Sequence, residues 1–191
     1  MSYQTYTTEA IVCGTFNRNT ADRSYLLFTK EAGMLYAEAR SVREERSRQR
    51  MALQDFSLVR VSLIKGKSSW KIGSIECKKN FFMMAEDKAA RGSVVLVSRF
   101  LRRFYGVQEA APFLFEYVAG ALELLSKSTT HRGELEKIIQ VRMLLELGYV
   151  DDRLVPPEVQ LDITELGKVS TMQKLPELET LIDKAVSTSH L

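Results

Sequence analysis

Cysteine and histidine are scarce in this chain, with two of each in 191 residues. Two cysteines, Cys13 and Cys77, are too few for a disulfide framework or a four-cysteine zinc site. Both fall in strand-like runs, where free cysteine behaves as a small buried apolar residue. The histidines, His131 and His190, lie far from either thiol in sequence. There is no Walker A loop, no G-x-G-x-x-G after a strand, no H-E-x-x-H and no G-x-S-x-G. No His, Cys and carboxylate cluster has metal-ligand spacing. The acid pairs Glu44-Glu45, Glu86-Asp87 and Asp151-Asp152 sit on loops or helix starts and read as solvated. The expectation is a protein that is not an enzyme and holds no cofactor or metal. Long apolar runs are missing too, since none approaches the ~20 residues of a membrane helix. Met1 to Glu9 is polar, with no basic segment leading into an apolar one. A soluble, cytoplasmic protein is expected.

What the chain has is unevenly placed positive charge. Net charge is +3. Residues 1–80 hold 14 Lys and Arg against 8 Asp and Glu, residues 81–155 hold 10 against 10, and residues 156–191 hold 3 against 6. A basic N-terminal part suggests a polyanion partner there. Its densest stretch is RSVREERSRQR, with Arg40, Arg43, Arg46, Arg48 and Arg50 against Glu44 and Glu45. Guanidinium is planar and bidentate and matches phosphate geometry. The same run also reads as a solvated surface, since Glu44 and Arg48 are spaced for a self-paired helical turn.

Five runs read as strands: Tyr3 to Phe16, Ser24 to Thr29, Met34 to Arg40, Phe56 to Ile64 and Trp70 to Lys78. The third alternates Leu35, Ala37 and Ala39 against Tyr36, Glu38 and Arg40, as a half-buried strand does. Gly33 can supply a positive φ in the turn before it. Gly73 marks a bulge or bend in the fifth. Lys65-Gly66-Lys67-Ser68 is a hairpin turn. Five short strands fit a five-stranded OB-type barrel, which binds oligonucleotides on one face and through its loops. An SH3-like barrel has a similar tally.

Beyond Phe81 the period changes. Val97, Phe100, Leu101 and Phe104 give an amphipathic helix over 86–105, with Gly106 suited to its C-cap. Pro112 opens a second helix and a third ends near Gly148. Asp151 to Pro157 reads as a linker, and 158–175 as polar with little regular pattern. Pro176 opens a last helix with Leu178, Leu181, Ile182 and Ala185 on one face. Ser187 to Leu191 reads as a frayed tail. The fold class is α+β: an OB-fold domain over 1–80, a helical bundle domain over 81–155, then a linker and short C-terminal helix over 156–191.

On an OB barrel, Arg40, Arg43, Arg46, Arg48 and Arg50 would meet DNA phosphates, with Lys65, Lys67 and Lys71 extending the track. Exposed aromatics stack bases. Tyr25 and Trp70 read better as core, while Tyr36 shares a face with Glu38 and Arg40 and reads as exposed. On the helical part, Arg99, Arg102 and Arg103 border Phe100 and Phe104. That pattern fits an apolar pocket with a basic rim, and equally an ordinary amphipathic helix.

Three segments together resemble a bacterial family, the DNA repair and recombination mediator RecO. They are TEAIVCGTFNRNTADRSYLLFTKEAGMLYAEARSVR (8–43), SRQRMALQDFSLVRVSLIKGK (47–67) and LLELGY (144–149). Within the first, Ala21-Asp22-Arg23 and Leu27-Phe28-Thr29 before Gly33 carry the likeness. Within the second, Leu53-Gln54 and Phe56-Ser57 do. The likeness spans residues 3–154. The family usually has Gly where Ser41 and Met51 stand and Pro where Asp55 stands, which alters the loop's backbone freedom. Many members carry a four-cysteine zinc module after the helical domain, whereas 155–191 here contains no cysteine. The resemblance implies binding of single- and double-stranded DNA, strand annealing and help in loading the recombinase RecA. It implies RecR and the acidic C-terminal tail of single-strand-binding protein as partners, nucleoid association and no covalent chemistry. The tail would meet Arg99, Arg102 and Arg103. The alternative is an OB-fold protein-interaction adaptor whose arginines meet acidic side chains. A nuclease is a third class.

Overall fold

The computed structural model describes residues 5–44, 47–67, 69–106, 110–127, 129, 131–167 and 176–189. The chain forms two compact units, Met1–Met84 with Gly106–Phe115, and Ala85–Tyr105 with Glu116–Leu191.

The first unit is built on five strands: β1 (Thr5–Asn17), β2 (Arg23–Thr29), β3 (Gly33–Ala39), β4 (Ser57–Lys65) and β5 (Trp70–Asn80). They close into a barrel in the order β1-β2-β3-β5-β4. Closure is made by a short parallel pairing of β3 with β5, Ala37 with Trp70 and Glu38 with Lys71. This order is that of the OB-fold barrel.

Alternation explains the interior. Leu35, Ala37 and Ala39 point inward with Val12, Tyr25, Leu27, Val59, Val61 and Leu63, and Val42 and Leu53 join them from the β3–β4 loop. Burying each large apolar side chain contributes about 1.5–3 kcal/mol. That loop contains one short helix, α1 (Arg48–Ala52). Gln49 of α1 donates from Nε2 to the Gly73 carbonyl at 2.7 Å, which fixes α1 on β5. Gly73 itself lies where the β4–β5 register shifts, between the pairs Val61–Ile75 and Leu63–Ile72, as a bulge there requires. Gly33 takes φ +65° in the β2–β3 turn.

A second bulge sits in β1. Val12 pairs with Leu27 but Gly14 pairs with Leu26, so Cys13 is an extra residue. The insertion reverses the faces of the strand beyond it. Residues 10 and 12 face inward, and after the bulge it is Thr15 that shares a face with inward-pointing Tyr25. Phe16 is thereby turned out.

Cys13 is buried, as expected, but Cys77 is exposed. It lies where the register shifts between Val59–Cys77 and Leu58–Lys79, flanked by exposed Glu76 and Lys78. The local twist of a bulge turns successive residues outward there.

A further short helix, α2 (Phe81–Met84), follows β5. The helices that come after it are α3 (Lys88–Phe104), α4 (Pro112–Leu125), α5 (Arg132–Glu146), α6 (Ile163–Leu166) and α7 (Pro176–Thr188). Asp87 caps α3 by accepting the Ala90 N–H at 2.6 Å, as an N-cap acid should. Val97, Leu101 and Phe104 are buried along one stripe of α3. Gly106 is not its C-cap. That position belongs to Tyr105, which is extended (φ −86°, ψ 109°) and donates its N–H to the Leu101 carbonyl. Tyr105 is 7% exposed, so its ring is drawn inward and no left-handed residue is used. By contrast α5 ends in a Schellman motif. Gly148 has φ +76°, and the Tyr149 and Gly148 N–H groups donate to Leu144 and Leu145 carbonyls at 2.9 and 3.0 Å.

In the second unit, α5 packs against α3 and α7. Up to Gly167 the stretch after Asp151 is more ordered than its polarity suggests, while residues 168–175 lie outside the described residues. It forms 3-10 turns at Asp152–Leu154 and Pro157–Gln160, then α6, which carries a capping box from Asp162 to Glu165. Val159 and Leu166 are buried there. Of the tail expected to fray from Ser187, residues 187–189 are ordered, and His190 and Leu191 lie outside the described residues. Helix α7 runs to Thr188, and the Ser189 N–H still donates to Ala185 at 2.9 Å. The Ser187 and Thr188 hydroxyls donate to the Lys184 carbonyl, which supplies the capping that the sequence period does not reveal.

Candidate nucleic-acid interface

The basic loop is anchored rather than loose at its start. Asn19 organises the β1–β2 loop, its Oδ1 accepting the Ala21 and Asp22 N–H groups at 2.9 and 2.6 Å. Asp22 then reaches across, and its Oδ1 accepts the Ser41 N–H at 2.9 Å. The Arg43 N–H donates to the Ala21 carbonyl at 3.1 Å, and its Nη1 donates to the Asn19 carbonyl at 2.9 Å. The hydrogen bond from Asn19, the one from Ser41 and the nearby Arg40 and Arg18 hold the Asp22 carboxyl below its ordinary pKa of 3.8. The loop's exit is also held. Phe56 donates its N–H to Val12 at 2.8 Å and accepts from Phe81 at 3.1 Å.

Arg40 is exposed at the end of β3 and Arg43 at the loop's start, though one Arg43 donor is committed to Asn19. Arg50 is exposed in the last turn of α1. Arg46 and the side chain of Arg48 lie outside the described residues. Lys65 and Lys67 are exposed at the β4–β5 hairpin, and the Lys65 ammonium sits 5.8 Å from the centre of the Trp70 ring. Lys71 is half-buried and opposite Glu38. Tyr25 is fully buried and Trp70 packs against the barrel core, while Tyr36 is 51% exposed. Burial pushes the Tyr25 phenol pKa up.

Cross-strand pairs place these residues in rows. Phe16, Ser24, Glu38 and Lys71 are successive partners across β1, β2, β3 and β5. Gly14, Leu26 and Tyr36 form the next row. Arg18, which follows β1, forms an ion pair with Glu38 and keeps 57% of its side chain exposed. The outer face therefore carries two exposed aromatics, Phe16 and Tyr36, beside Arg18, Arg40 and Lys71. Phe16 and Arg18 escape sequence reasoning, because alternation counted from Ala10 and Val12 puts Phe16 inside. Only the turn residues Asn17 to Thr20 hint that the strand's end is irregular.

A cleft of about 310 Å³ opens elsewhere on the barrel, lined by Thr7, Thr8, Glu9, Lys30, Glu31, Arg60 and Lys78. Its lining sets two carboxylates, Glu9 and Glu31, among the cations Lys30, Arg60 and Lys78. Lys78 bonds Glu9, and the Thr8 hydroxyl donates to Glu31. A polyanion gains little from such a surface.

In the second unit Arg99, Arg102 and Arg103 are exposed along α3. The phenylalanines they flank are not, Phe100 being 8% and Phe104 2% exposed. Phe104 packs on Phe100 at 4.6 Å and on Tyr149 at 5.1 Å between ring centres. Arg103 lies over the Phe104 ring and donates to the Val186 carbonyl near the end of α7 at 3.1 Å. The apolar lining that a peptide pocket needs is taken up in internal packing here. Among the described residues no group of three or more His, Cys, Asp or Glu could hold a metal ion, and no helix is long and apolar enough to cross a membrane.

Residues 1–81 match the Recombination protein O N-terminal family. The N-terminal barrel is similar to the N-terminal domain of the RecO family. Curated relatives extend the likeness into the helical part. The chain is 26% identical over 154 residues to the DNA repair protein RecO of Cutibacterium acnes, covering 78% of this chain and 63% of that protein. It is 35% identical over 82 residues to RecO of Symbiobacterium thermophilum, covering 43% of this chain and 32% of that protein. It is 22% identical over 142 residues to RecO of Acetivibrio thermocellus, covering 74% and 57%. The chain thus spans less than two thirds of the length of these RecO relatives. The RecO likeness also gives Ala21-Asp22-Arg23 a physical meaning, since Asp22 is the residue that ties the first loop to the basic one.

Proposed function

We propose that this chain binds DNA through the outer face and loops of its barrel and acts as a recombination mediator in DNA repair. The carrying observation is that exposed aromatic and cationic side chains share one face of an OB barrel similar to that of the RecO family. Phosphates are met by Arg40, Arg43 and Arg50 with Lys65, Lys67 and Lys71, together with Arg46 and Arg48. Each neutralised phosphate releases counterions and strengthens binding. No covalent chemistry is involved. In this reading the protein takes up single- and double-stranded DNA without base-specific readout and anneals complementary strands. With RecR it assists RecA loading on DNA coated by single-strand-binding protein, in a cytoplasmic, nucleoid-associated setting. Binding of that protein's acidic tail, if made by α3, rests on the charges of Arg99, Arg102 and Arg103.

The test is an anisotropy titration with single- and double-stranded oligonucleotides over a range of salt. Affinity should fall as salt rises, without sequence preference. Replacing Arg40, Arg50, Lys65 and Lys67 with Ala should reduce the slope of log K against log salt by about 0.7–0.9 for each phosphate no longer neutralised. Arg43 is left in place because it also holds the β1–β2 loop. An unchanged slope would remove the loop and hairpin from the interface. Absence of DNA binding, with RecR still bound, would favour an adaptor instead. Cleavage of the oligonucleotide in Mg²⁺ would favour a nuclease.

A further inference from the structure

Two strands of the barrel outrun their neighbours. β5 pairs with β3 only at Trp70 and Lys71. The rest of that edge is guarded: it carries Glu76, Lys78 and Lys79, shifts register twice against β4 and is covered at Gly73 by Gln49. Charges and bulges of this kind keep a strand edge from pairing further. β1 is different. It pairs with β4 from Thr5 to Ile11, but with β2 only from Ala10 onward. The Glu9 carbonyl accepts the Lys30 N–H at 3.0 Å. Backbone groups alternate sides along a strand, so Thr5 and Thr7 turn theirs the same way as Glu9, beyond the end of β2. Among the described residues no backbone group meets them there. Thr5 to Thr8 holds no charge and no proline to guard this edge.

The cleft of about 310 Å³ opens beside it, with Thr7 in its lining. Because β1 lies between β2 and β4, Lys30 and Glu31 of the β2–β3 turn flank one side, and Arg60 and Lys78 the other. Lys78 takes Glu9, and the Thr8 hydroxyl donates to Glu31. Arg60 is the cross-strand partner of Glu9, yet it is exposed and has no ion pair among the described residues.

We propose that the Thr5–Thr8 edge of β1 takes an extended segment of a partner protein as an added strand, and that the cleft beside it selects a segment carrying side chains of both signs with a small acidic excess. Main-chain hydrogen bonds at Thr7 give such pairing its affinity, and the flanking side chains give it selectivity. An acidic side chain of the segment meets Arg60, and a basic one meets Glu31. A uniformly acidic segment would oppose Glu9 and Glu31, and a uniformly basic one Lys30, Arg60 and Lys78. The three cations outnumber the two carboxylates, which sets the acidic excess. The basic loop and the β4–β5 hairpin take no part, so the proposal stands apart from the DNA-binding reading above.

The probes are the peptide TEVKVET, its single-sign relatives TEVEVET and TKVKVKT, and two forms of TEVKVET with backbone N-methyl groups on alternate residues in opposite phase. They are titrated into the full chain to millimolar concentration and followed by NMR. TEVKVET should protect the Thr7 amide from hydrogen exchange. One methylated form should bind as the parent does, and the other, whose methyl groups face β1, roughly tenfold or more weakly. Both single-sign peptides should bind more weakly than TEVKVET. Arg60→Ala should weaken TEVKVET and leave TKVKVKT no weaker. Thr7→Pro removes an N–H that pairs with nothing in the fold, as an edge strand tolerates, and should weaken TEVKVET roughly tenfold or more. If Thr7→Pro does not fold, the methylated peptides carry the same test on the unaltered chain. Binding without protection at Thr7 overturns strand addition, as does equal binding by both methylated forms. Equal binding of TEVKVET and its single-sign relatives overturns the selection by charge. Absence of any binding to the unaltered chain overturns the proposal. A Thr7 amide already protected in the peptide-free chain, with the tumbling of a dimer, assigns the edge to a second copy and overturns it as well.

Discussion

The Asp22 carboxylate accepts the Ser41 backbone N–H at 2.9 Å, across 19 residues of sequence. This bond joins the first loop of the barrel to the start of the basic stretch. It fixes where Arg40 leaves β3 and where Arg43 begins the loop. Asp22 accepts from Asn19 as well, so its ionised form is the one the fold favours.

A pH dependence follows with a definite sign. The folded pKa of Asp22 is depressed below 3.8, so its contribution is complete above that pH and is lost as pH falls through the folded value. The Ser41 amide should lose hydrogen-exchange protection over that acidic window, followed by NMR. In Asp22→Ala the step should vanish and protection should be low at neutral pH. A Ser41 amide insensitive to both changes would show that the junction is held by Arg43 alone.

Ser41 adopts φ +50°, in the left-handed region, where a Cβ is disfavoured by about 1–2 kcal/mol. Glycine relieves that cost but gains freedom in the unfolded chain. Ser41→Gly should therefore stabilise the protein by about 0.5–1 kcal/mol. The urea midpoint should rise with the slope of unfolding unchanged. Phe56, at φ +69°, is not expected to respond alike, because glycine there would forfeit its stacking on Phe82.

Gly120 in α4 is a site of close approach. A Cβ placed there would lie 2.8 Å from Ile163 Cγ2. On an open helix face Gly→Ala gains about 1 kcal/mol. Here Gly120→Ala should be neutral or destabilising, because Ile163 must shift. With Ile163→Ala also present the helix gain should reappear, leaving a favourable coupling of about 0.5–3 kcal/mol between the two positions. Thermal or urea unfolding of the four chains measures it. Simple additivity would mean that α6 moves aside without cost.

Arg132 links α3 to the start of α5. Its Nη1 donates to Ser93 Oγ at 2.9 Å and to the Leu125 carbonyl at 2.7 Å, and its Nη2 to the Lys127 carbonyl at 2.5 Å. Ser93 Oγ donates in turn to Glu136 at 2.5 Å. Lysine retains the charge but not the planar fork. Arg132→Lys should cost about 1.5–3 kcal/mol, close to the effect of Arg132→Ala. Denaturant titration distinguishes this from a purely electrostatic role, in which Lys would restore most of the stability.

Much of the fold is legible in the residues because burial leaves a local period. Leu35, Ala37 and Ala39 are buried while Tyr36 and Arg40 are exposed, as alternation predicts. Val97, Leu101 and Phe104 share the buried stripe of α3. Gly33 takes the positive φ its turn calls for. Where local period fails, a distant partner has intervened. Cys77 is exposed because β5 shifts against β4. Tyr105, drawn inward, replaces Gly106 as a helix cap. The choice between an OB barrel and an SH3-like one depends on which strands close the sheet, here β3 with β5.

The sequence by itself determined the number of the strands, the alternating faces of β3, the apolar stripes of the long helices and the concentration of positive charge before residue 80. These are properties of neighbours along the chain. Tertiary structure alone decided that Asp22 holds the basic loop and that Arg103 is engaged by α7. It also decided that Phe16 meets Tyr36. A single extra residue, Cys13, reverses the faces of β1, and whether a strand carries such a residue is set by its register with partners far away in sequence.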